Sequence, residues 1–439
     1  MSDSVKLGVA IVGCGTVGGA AATILTRDAD IVAQRSGCDI ELKYVVDLDF
    51  SVARQTGLAE DLLCDNYDKV LADDSVDVVV ELVGGLGFAR EVIERACRAG
   101  KHVVTANKAL LAHHGTELYA LARSCGVCIA FEASCAGCVP IIRALNEGLI
   151  VNRIDAMFGI VNGTCNFILS EMSTKGRDYA AVLQEAQADG LAEADPSLDV
   201  SGEDSAHKLA ILGAMAFGQK IEFDDIPTAG IDKLDLCDVA FGQDLGYVLK
   251  LLAIAERQAD GLSLRVRPAF ISKAHPLAWV AGSFNAVSVY GHVTGHTMYY
   301  GRGAGGMPTA SAVVADLVSV AVGSAQRTFS QLGVWPDRAE QACQSPLEAV
   351  RSRYYLRILC EDRPGVFAQI AAILGEREIS ISSLLQHEPA EGQAGIVPVV
   401  VTTHQAREGD VRDALAKIDK LDTVKSQSVC LEIVEEYEE

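Results

Sequence analysis

The feature that most constrains the fold lies near the N-terminus. Leu7 to Val12, LGVAIV, is a short apolar run that breaks into a glycine turn and then an alanine-rich stretch, GCGTVGGAAATIL. A short apolar run bounded by glycine reads as a buried strand. Gly13, Gly15 and Gly18, with Thr16 and Val17 between them, spell G-x-G-x-x-G. The first glycine permits a tight turn, and the second lets the backbone approach a pyrophosphate. The third allows close helix–strand packing, with phosphate on the helix N-terminus. A glycine turn in some other α/β protein is the alternative, but the strand before the motif and the helical stretch after it favour dinucleotide binding.

The following segments continue the pattern. Ile40 to Val46 is a second strand, Val76 to Gly85 a third, Lys101 to Leu111 a fourth running into a helix, and Val127 to Glu132 a fifth. Strands alternating with helical stretches imply an α/β fold, a Rossmann-type doubly wound parallel sheet. The second strand ends in Asp47, where an acidic side chain bonds the adenine ribose and repels a 2′-phosphate, so NAD is favoured over NADP. Asp49 competes for that role, and Arg54 remains able to meet a phosphate. Ligands of such sheets sit at the carboxyl ends of the strands. Gly84, Thr105, Ala106, Asn107, Lys108 and Glu132 fall there, with Lys108 placed beside a nicotinamide; an exposed loop lysine is the alternative.

From about Asn146 the pattern changes. Strand-like segments (Arg153 to Ile160, Ala269 to Ser272, Ala286 to Tyr290, Thr297 to Tyr300) frame mostly helical stretches, an α+β domain with an antiparallel or mixed sheet. VNGTCNFIL leads towards AQADGLAEADPSLDVSGEDSAHK, which holds Asp189, Glu193, Asp195, Asp199 and Asp204 and then one lysine, Lys208. Asp195-Pro196 marks a turn, and a helix begins near Ser201 or Gly202. Asp204 and Lys208, four apart, share a helix face. The helix continues as LAILGAMAF, apolar nearly all round and therefore buried. A lysine at the start of a buried helix requires a partner. Further on, GRGAGGMPTASAVVADL is a glycine loop running into a helix. Backbone N–H groups at Gly305 can meet the cofactor, and Thr309 or Ser311 can cap the helix.

Composition sets the class. The net charge of −22 argues against nucleic acid and anionic membrane surfaces. The N-terminus lacks the basic start of a signal peptide, and no apolar stretch is long enough to span a bilayer, so a cytoplasmic protein is expected. The 13 cysteines are odd in number and sit in apolar runs, which fits reduced thiols. Cys125/Cys128 and Cys135/Cys138 resemble zinc-ligand pairs, but only six residues separate them and the intervening strand alternates its side chains, so zinc is discounted.

Taken together, these blocks resemble homoserine dehydrogenases. Ala186, Gly190, Asp195-Pro196, Asp199, Gly202, Asp204 and Lys208 match that family's signature. TANKALL, FEASCAGCVPII, GIVNGTCNFIL and GRGAGGMPTASAVVADL match its other blocks in the same order. The resemblance implies reversible, NAD(P)-dependent reduction of L-aspartate 4-semialdehyde to L-homoserine in threonine, methionine and isoleucine biosynthesis. It implies that Lys108 and Lys208 flank the reacting carbon, with Lys208 the proton donor and Asp204 orienting it. Glu193 would bind the substrate ammonium, with Asp199 and Thr164 as further substrate contacts. It also implies a monovalent cation, sodium, held by Glu132 and the backbone carbonyls of Cys135, Gly137 and Val139. The chain departs from the family in its cysteines within FEASCAGCVP and NGTCN, and in Asp47, where many relatives carry an arginine. The alternatives are a dehydrogenase of another small amino acid or aldehyde on the same scaffold, and an inactive amino-acid sensor.

After a polar linker, GVWPDRAEQACQSPLEAV, a new unit begins near Arg351 with the order βαββαβ, a ferredoxin-like sandwich. Its loop DRPGVFAQIA resembles that of ACT domains. That resemblance implies L-threonine as feedback inhibitor, bound near Asp362, Gly365 and Val366, the helix N-terminus taking its carboxylate. Dimerisation without a ligand is the alternative. The expected bounds are 1–133 with 308–332 for the dinucleotide domain, 134–307 for the substrate and dimerisation domain, 333–350 for the linker and 351–439 for the ACT domain, in a homodimer or homotetramer.

Overall fold

A computed structural model describes residues 5–387 and 395–437. The chain packs into two compact units, one of 1–163, 204–226 and 283–342, the other of 164–203, 227–282 and 343–439. In the first unit, strands β1 (Val5–Val12), β2 (Cys38–Val46), β3 (Leu63–Cys64), β4 (Val78–Glu81), β5 (His102–Thr105) and β6 (Ile129–Ala130) form a parallel sheet in the order β3-β2-β1-β4-β5-β6. The strand order reverses between β1 and β4, which places a crevice beyond their carboxyl ends. All four residues of β4 are buried, as a parallel strand covered on both faces requires. The fifth expected strand is shorter than its apolar run: only Ile129 and Ala130 pair, and Glu132–Ser134 turn into a 3₁₀ helix.

Helix α1 (Thr16–Arg27) follows the glycine loop. Strands Ile154–Ile160, Phe284–Gly291 and Gly295–Arg302 add an antiparallel meander to the same unit. The stretch after Leu332, read as a polar linker, is anchored. Trp335 is buried against Phe329, Tyr119 and Phe131, with ring centroids 4.6, 5.4 and 5.9 Å away. Asp337 pairs with Arg123 at 2.7 Å.

The second unit contains the helix that runs on from Gly163 to Lys175, the acidic segment as far as Glu203, and a hairpin of Tyr247–Gln258 and Gly261–Ser272. Tyr247–Gln258 is a correction, because its Leu- and Ala-rich run lies in a stretch read as mostly helical. Residues 249–255 are all buried, which removes the alternation that marks a half-exposed strand. The C-terminal module has the expected βαββαβ order: Arg351–Glu361, Val366–Glu376, Ile381–Gln386, Ile396–Thr403, Glu408–Ile418 and Val429–Val434. Its sheet is antiparallel, with the last strand beside the first, then the third and the second. Tyr354, Leu356 and Ile358 of the first strand pack against Ile370 and Leu374 of one helix and Val411 and Ile418 of the other. Val429–Val434 also pairs in parallel with Gly261–Ser272.

Candidate active site

The glycine loop shows one physical reason for each glycine. Gly13 has φ +98°, and a side chain there would meet Leu82 backbone at 2.6 Å. A Cβ on Gly18 would lie 1.9 Å from the Gly13 carbonyl oxygen, so only glycine lets α1 approach β1. At Gly15 an added Cβ would meet nothing, which leaves space for a ligand. No side chain caps α1, so its first N–H groups are available to an anion. Thr16 and Val17 begin that helix.

Beside the loop lies a cavity of about 590 Å³ lined by Gly13, Gly15, Asp47, Leu48, Tyr67, Leu82, Val83 and Phe88. Asp47 accepts N–H bonds from Cys14 at 2.5 Å, Leu48 at 2.6 Å and Asp49 at 3.1 Å. Its carboxylate is therefore fixed at the end of β2. Asp49 instead bonds the Ser51 N–H and hydroxyl, and Arg54 pairs with Glu60 at 2.9 Å. Helix Gly306–Ala321 abuts α1, because a Cβ on Gly306 would lie 3.1 Å from the Thr16 carbonyl. Its N-cap is Gly305, with φ +121° and no side-chain bond, so Thr309 and Ser311 lie inside the helix and do not cap it.

The carboxyl ends of β4 and β5 are tied by a residue the sequence reading passed over. Glu81 is fully buried. It accepts the Val83 and Gly84 N–H groups at 2.9 and 3.1 Å and the Thr105 hydroxyl at 2.6 Å. Thr105 Oγ1 accepts the Asn107 N–H at 3.0 Å. Asn107 reaches the Gly85 carbonyl and caps the helix Lys108–Ser124 through Leu110 N–H. This network fixes where Lys108, the first residue of that helix, begins. The clue was an acidic residue closing an apolar strand, VVVE.

Helix Glu203–Phe217 starts one to two residues later than expected and is buried along nearly its whole length. Asp204 joins the two lysines: Lys208 Nζ donates to its Oδ2 at 2.7 Å, and Lys108 Nζ lies 3.1 Å from its Oδ1. Asn162 Nδ2 donates to Oδ2 at 2.8 Å, and Lys208 also donates to the Val161 carbonyl at 2.6 Å. Burial alone would raise the Asp204 carboxyl; Lys208 and Lys108 together hold it far below the ordinary carboxylate range. Among the described residues two of the three ammonium donors of Lys208 are used, and one remains. Asn162 and the Val161 carbonyl lie in GIVNG, whose residue types carry no charge pattern to announce a site.

The remaining acidic residues have separate roles. In the second unit Asp195 caps Ser197, and the Thr164 hydroxyl lies 2.9 Å from the Leu191 carbonyl and 3.1 Å from Asp199 Oδ2. Glu193 is exposed, and among the described residues its carboxylate makes no hydrogen bond or ion pair.

Glu132 is buried, and its oxygens accept the Ile142 and Arg143 N–H groups at 2.9 Å each. Desolvation raises its carboxyl against those bonds. Ala136 and Gly137 are both left-handed, at φ +54° and +57°. Among the described residues the Cys135 and Gly137 carbonyls accept no hydrogen bond, whereas the Val139 carbonyl accepts the Ile141 N–H at 2.8 Å. A buried carboxylate and backbone carbonyl oxygens are hard donors that suit a monovalent cation.

His207 adjoins Lys208. Its ring stacks on Phe223 at 4.6 Å, and both nitrogens are buried without a hydrogen-bond partner among the described residues. Burial, with His113 beside it, lowers its pKa from 6.5 to about 4. A histidine whose folded pKa is depressed binds its proton more readily when unfolded, so stability should fall as pH drops from 6.5 to 4. Replacing His207 by leucine should flatten that limb of a plot of Tm against pH. An unchanged limb would show that His207 is not its source.

The match to known proteins is extensive. The family model for homoserine dehydrogenase matches residues 140–318, and its NAD-binding domain model matches residues 13–132. A homoserine dehydrogenase of Pseudomonas aeruginosa is 47% identical over 428 residues, covering 97% of this chain and 98% of that one. The chain belongs to the homoserine dehydrogenase family. Like other homoserine dehydrogenases, it is an oxidoreductase acting on a CH–OH group. A Bacillus subtilis homoserine dehydrogenase is 40% identical over 95% of the chain and 96% of its own length. The crystal structure of the Thiobacillus denitrificans enzyme superposes with a TM-score of 0.91 at 44% identity, covering 98% of each chain. A hyperthermophilic archaeal homoserine dehydrogenase in complex with NADPH matches with a TM-score of 0.60 at 27% identity, over 72% of this chain and 98% of its own. The ACT domain model matches residues 354–420.

Proposed function

We propose that this chain interconverts L-homoserine and L-aspartate 4-semialdehyde through Lys208, Lys108 and Asp204, with NAD as its cofactor. The observation that carries the reading is the Asp204 carboxylate bonded to both lysines, with one Lys208 donor left over. When bound, the dinucleotide supplies the nicotinamide that exchanges a hydride with the substrate carbon. The loop Gly13–Gly18 holds the pyrophosphate, Asp47 the ribose hydroxyls, and Gly84, Thr105 and Gly305 line the rest of the path. Lys208 gives its proton to the developing alkoxide in the reducing direction and takes it back in the oxidising one. Lys108 adds positive charge beside the same oxygen. Asp204 positions Lys208 and keeps the two ammonium groups together despite their repulsion.

Glu193 takes the substrate ammonium, a charge-assisted bond, and Asp199 and Thr164 are further substrate contacts. Glu193→Gln should raise the KM for L-homoserine about tenfold with kcat little changed. An unchanged KM would remove Glu193 from the site. Glu132 and the Cys135, Gly137 and Val139 carbonyls would hold sodium. By role, residues 1–133 with 308–332 form the cofactor domain, 134–307 the substrate and dimerisation domain, 333–350 the connection and 351–439 the regulatory domain of a cytoplasmic homodimer or homotetramer.

The C-terminal module is the site of feedback by L-threonine, the end product of the threonine branch. Gly365, at φ +91°, is the N-cap of helix Val366–Glu376, and no side chain fills that cap. Asp362 accepts from Gln386 at 3.3 Å at the mouth of the same loop. Titrating the full chain with L-threonine should lower its activity. Constant activity would leave the module as a subunit contact.

A further inference from the structure

Strand Gly261–Ser272 carries three consecutive residues, Arg265, Val266 and Arg267, that connect different parts of the second unit. Alternate side chains of a strand point to opposite faces, so both arginines share one face and Val266 takes the other. Arg265 donates to both oxygens of Glu432, at 2.5 and 3.0 Å. Arg267 donates to both oxygens of Glu408, at 2.6 and 3.0 Å, and also to Glu432 at 3.3 Å. Glu432 lies on the last strand of the C-terminal module and Glu408 begins its second helix, each 1% exposed. Glu256 also holds Arg265, at 2.8 Å, and Arg412 also holds Glu408, at 2.6 Å, so these charges form one network that keeps the strand and the module in one geometry.

The contacts continue beyond Val266. Its N–H donates to the Pro227 carbonyl at 2.9 Å, and its carbonyl accepts the Ala229 N–H at 2.8 Å. Ile231 N–H then donates to the Val200 carbonyl at 2.8 Å. The fit is tight: a Cβ on Gly230 would lie 2.0 Å from that carbonyl. A Cβ on Gly202 would lie 3.1 Å from Thr228 and 3.2 Å from Val266. Residues 227–231 are therefore wedged between the strand and residues 200–202, the end of the acidic segment. Asp199, which meets Thr164, comes directly before them.

We propose that Arg265 and Arg267 are positioning residues, which fix the strand against the C-terminal module and thereby set the placement of Asp199, so that the module acts on substrate affinity and leaves cofactor binding and the chemical step alone. The proposal rests on the reading of Asp199 and Thr164 as substrate contacts.

The double variant Arg267→Met/Glu408→Met removes the pair while keeping volume, a replacement that buried ion pairs often tolerate. In the full chain it should raise the KM for L-homoserine about tenfold. The kcat and the dinucleotide Kd should stay within about twofold. Val266→Ala, at the middle of the route, should raise KM as well. Combined with the double variant it should add less than the product of the separate effects by at least about threefold. Strictly multiplicative effects, an unchanged KM, or a loss of kcat and Tm together would overturn the proposal. Thr164→Val separates the two readings. If it raises KM while Arg267→Met/Glu408→Met does not, the route is wrong and the substrate contacts stand. If it leaves KM unchanged, the substrate reading fails and the route loses its end point.

Discussion

Replacing Lys208 by alanine should lower kcat for L-homoserine oxidation by about 10³-fold while leaving the dinucleotide Kd within about twofold. That loss corresponds to about 4 kcal/mol of transition-state stabilisation. The cofactor term should survive because the glycine loop and Asp47 belong to the turns after β1 and β2 and not to helix Glu203–Phe217. Stability should fall at the same time, because Asp204 would be left buried with Lys108 as its one cationic partner. Lys208→Arg separates charge from proton transfer: a guanidinium can keep a bond to Asp204 but does not release its proton near neutral pH. It should therefore remain slow. Near-full rates in either variant would reassign the proton donor, with Lys108 the next candidate.

Asp47→Ala should reduce the preference for NAD over NADP by about 10²-fold in kcat/KM. On the proposed role of Asp47, two charge-assisted bonds to a ribose diol would be lost, each worth about 1.5–3 kcal/mol, and the repulsion of a 2′-phosphate would go with them. Asp47 is also an internal acceptor for Cys14, Leu48 and Asp49 N–H groups. The variant should for that reason loosen the glycine loop and raise the Kd for both cofactors somewhat. Arg54 cannot rescue NADP without leaving Glu60. A wild-type protein that prefers NADP would reverse the cofactor assignment and leave Asp47 with a structural role alone.

How much of this was legible in the sequence differs from element to element. The dinucleotide unit was, because two of its glycines answer steric demands that no other residue meets: Gly13 against Leu82, Gly18 against the Gly13 carbonyl. The ACT module was equally plain, since turn, helix and strand signals fall in a short, regular order. Tyr247–Gln258 was not, because burial of both faces erased its period. Glu81, Asn162 and the Val161 carbonyl were also missed. Their roles arise from contacts across the fold, and a buried acceptor or amide in an apolar run shows no spacing pattern. In the acidic segment the four-residue spacing of Asp204 and Lys208 was legible, whereas the other carboxylates carry no spacing that separates their contacts. The structure divides it: Asp204 bonds the lysines, Asp195 caps a turn, Asp199 meets Thr164, and Glu193 stands exposed.

The most direct measurement is the oxidation of L-homoserine by the purified full chain with NAD+, followed by the near-ultraviolet absorbance of the reduced nicotinamide. Wild type should form reduced cofactor and trapped aldehyde in equal amounts, and Lys208→Ala should form neither at a comparable rate. No turnover with NAD+ or NADP+, or equal turnover in the two proteins, would contradict the assignment of Lys208, Lys108 and Asp204 as the catalytic group.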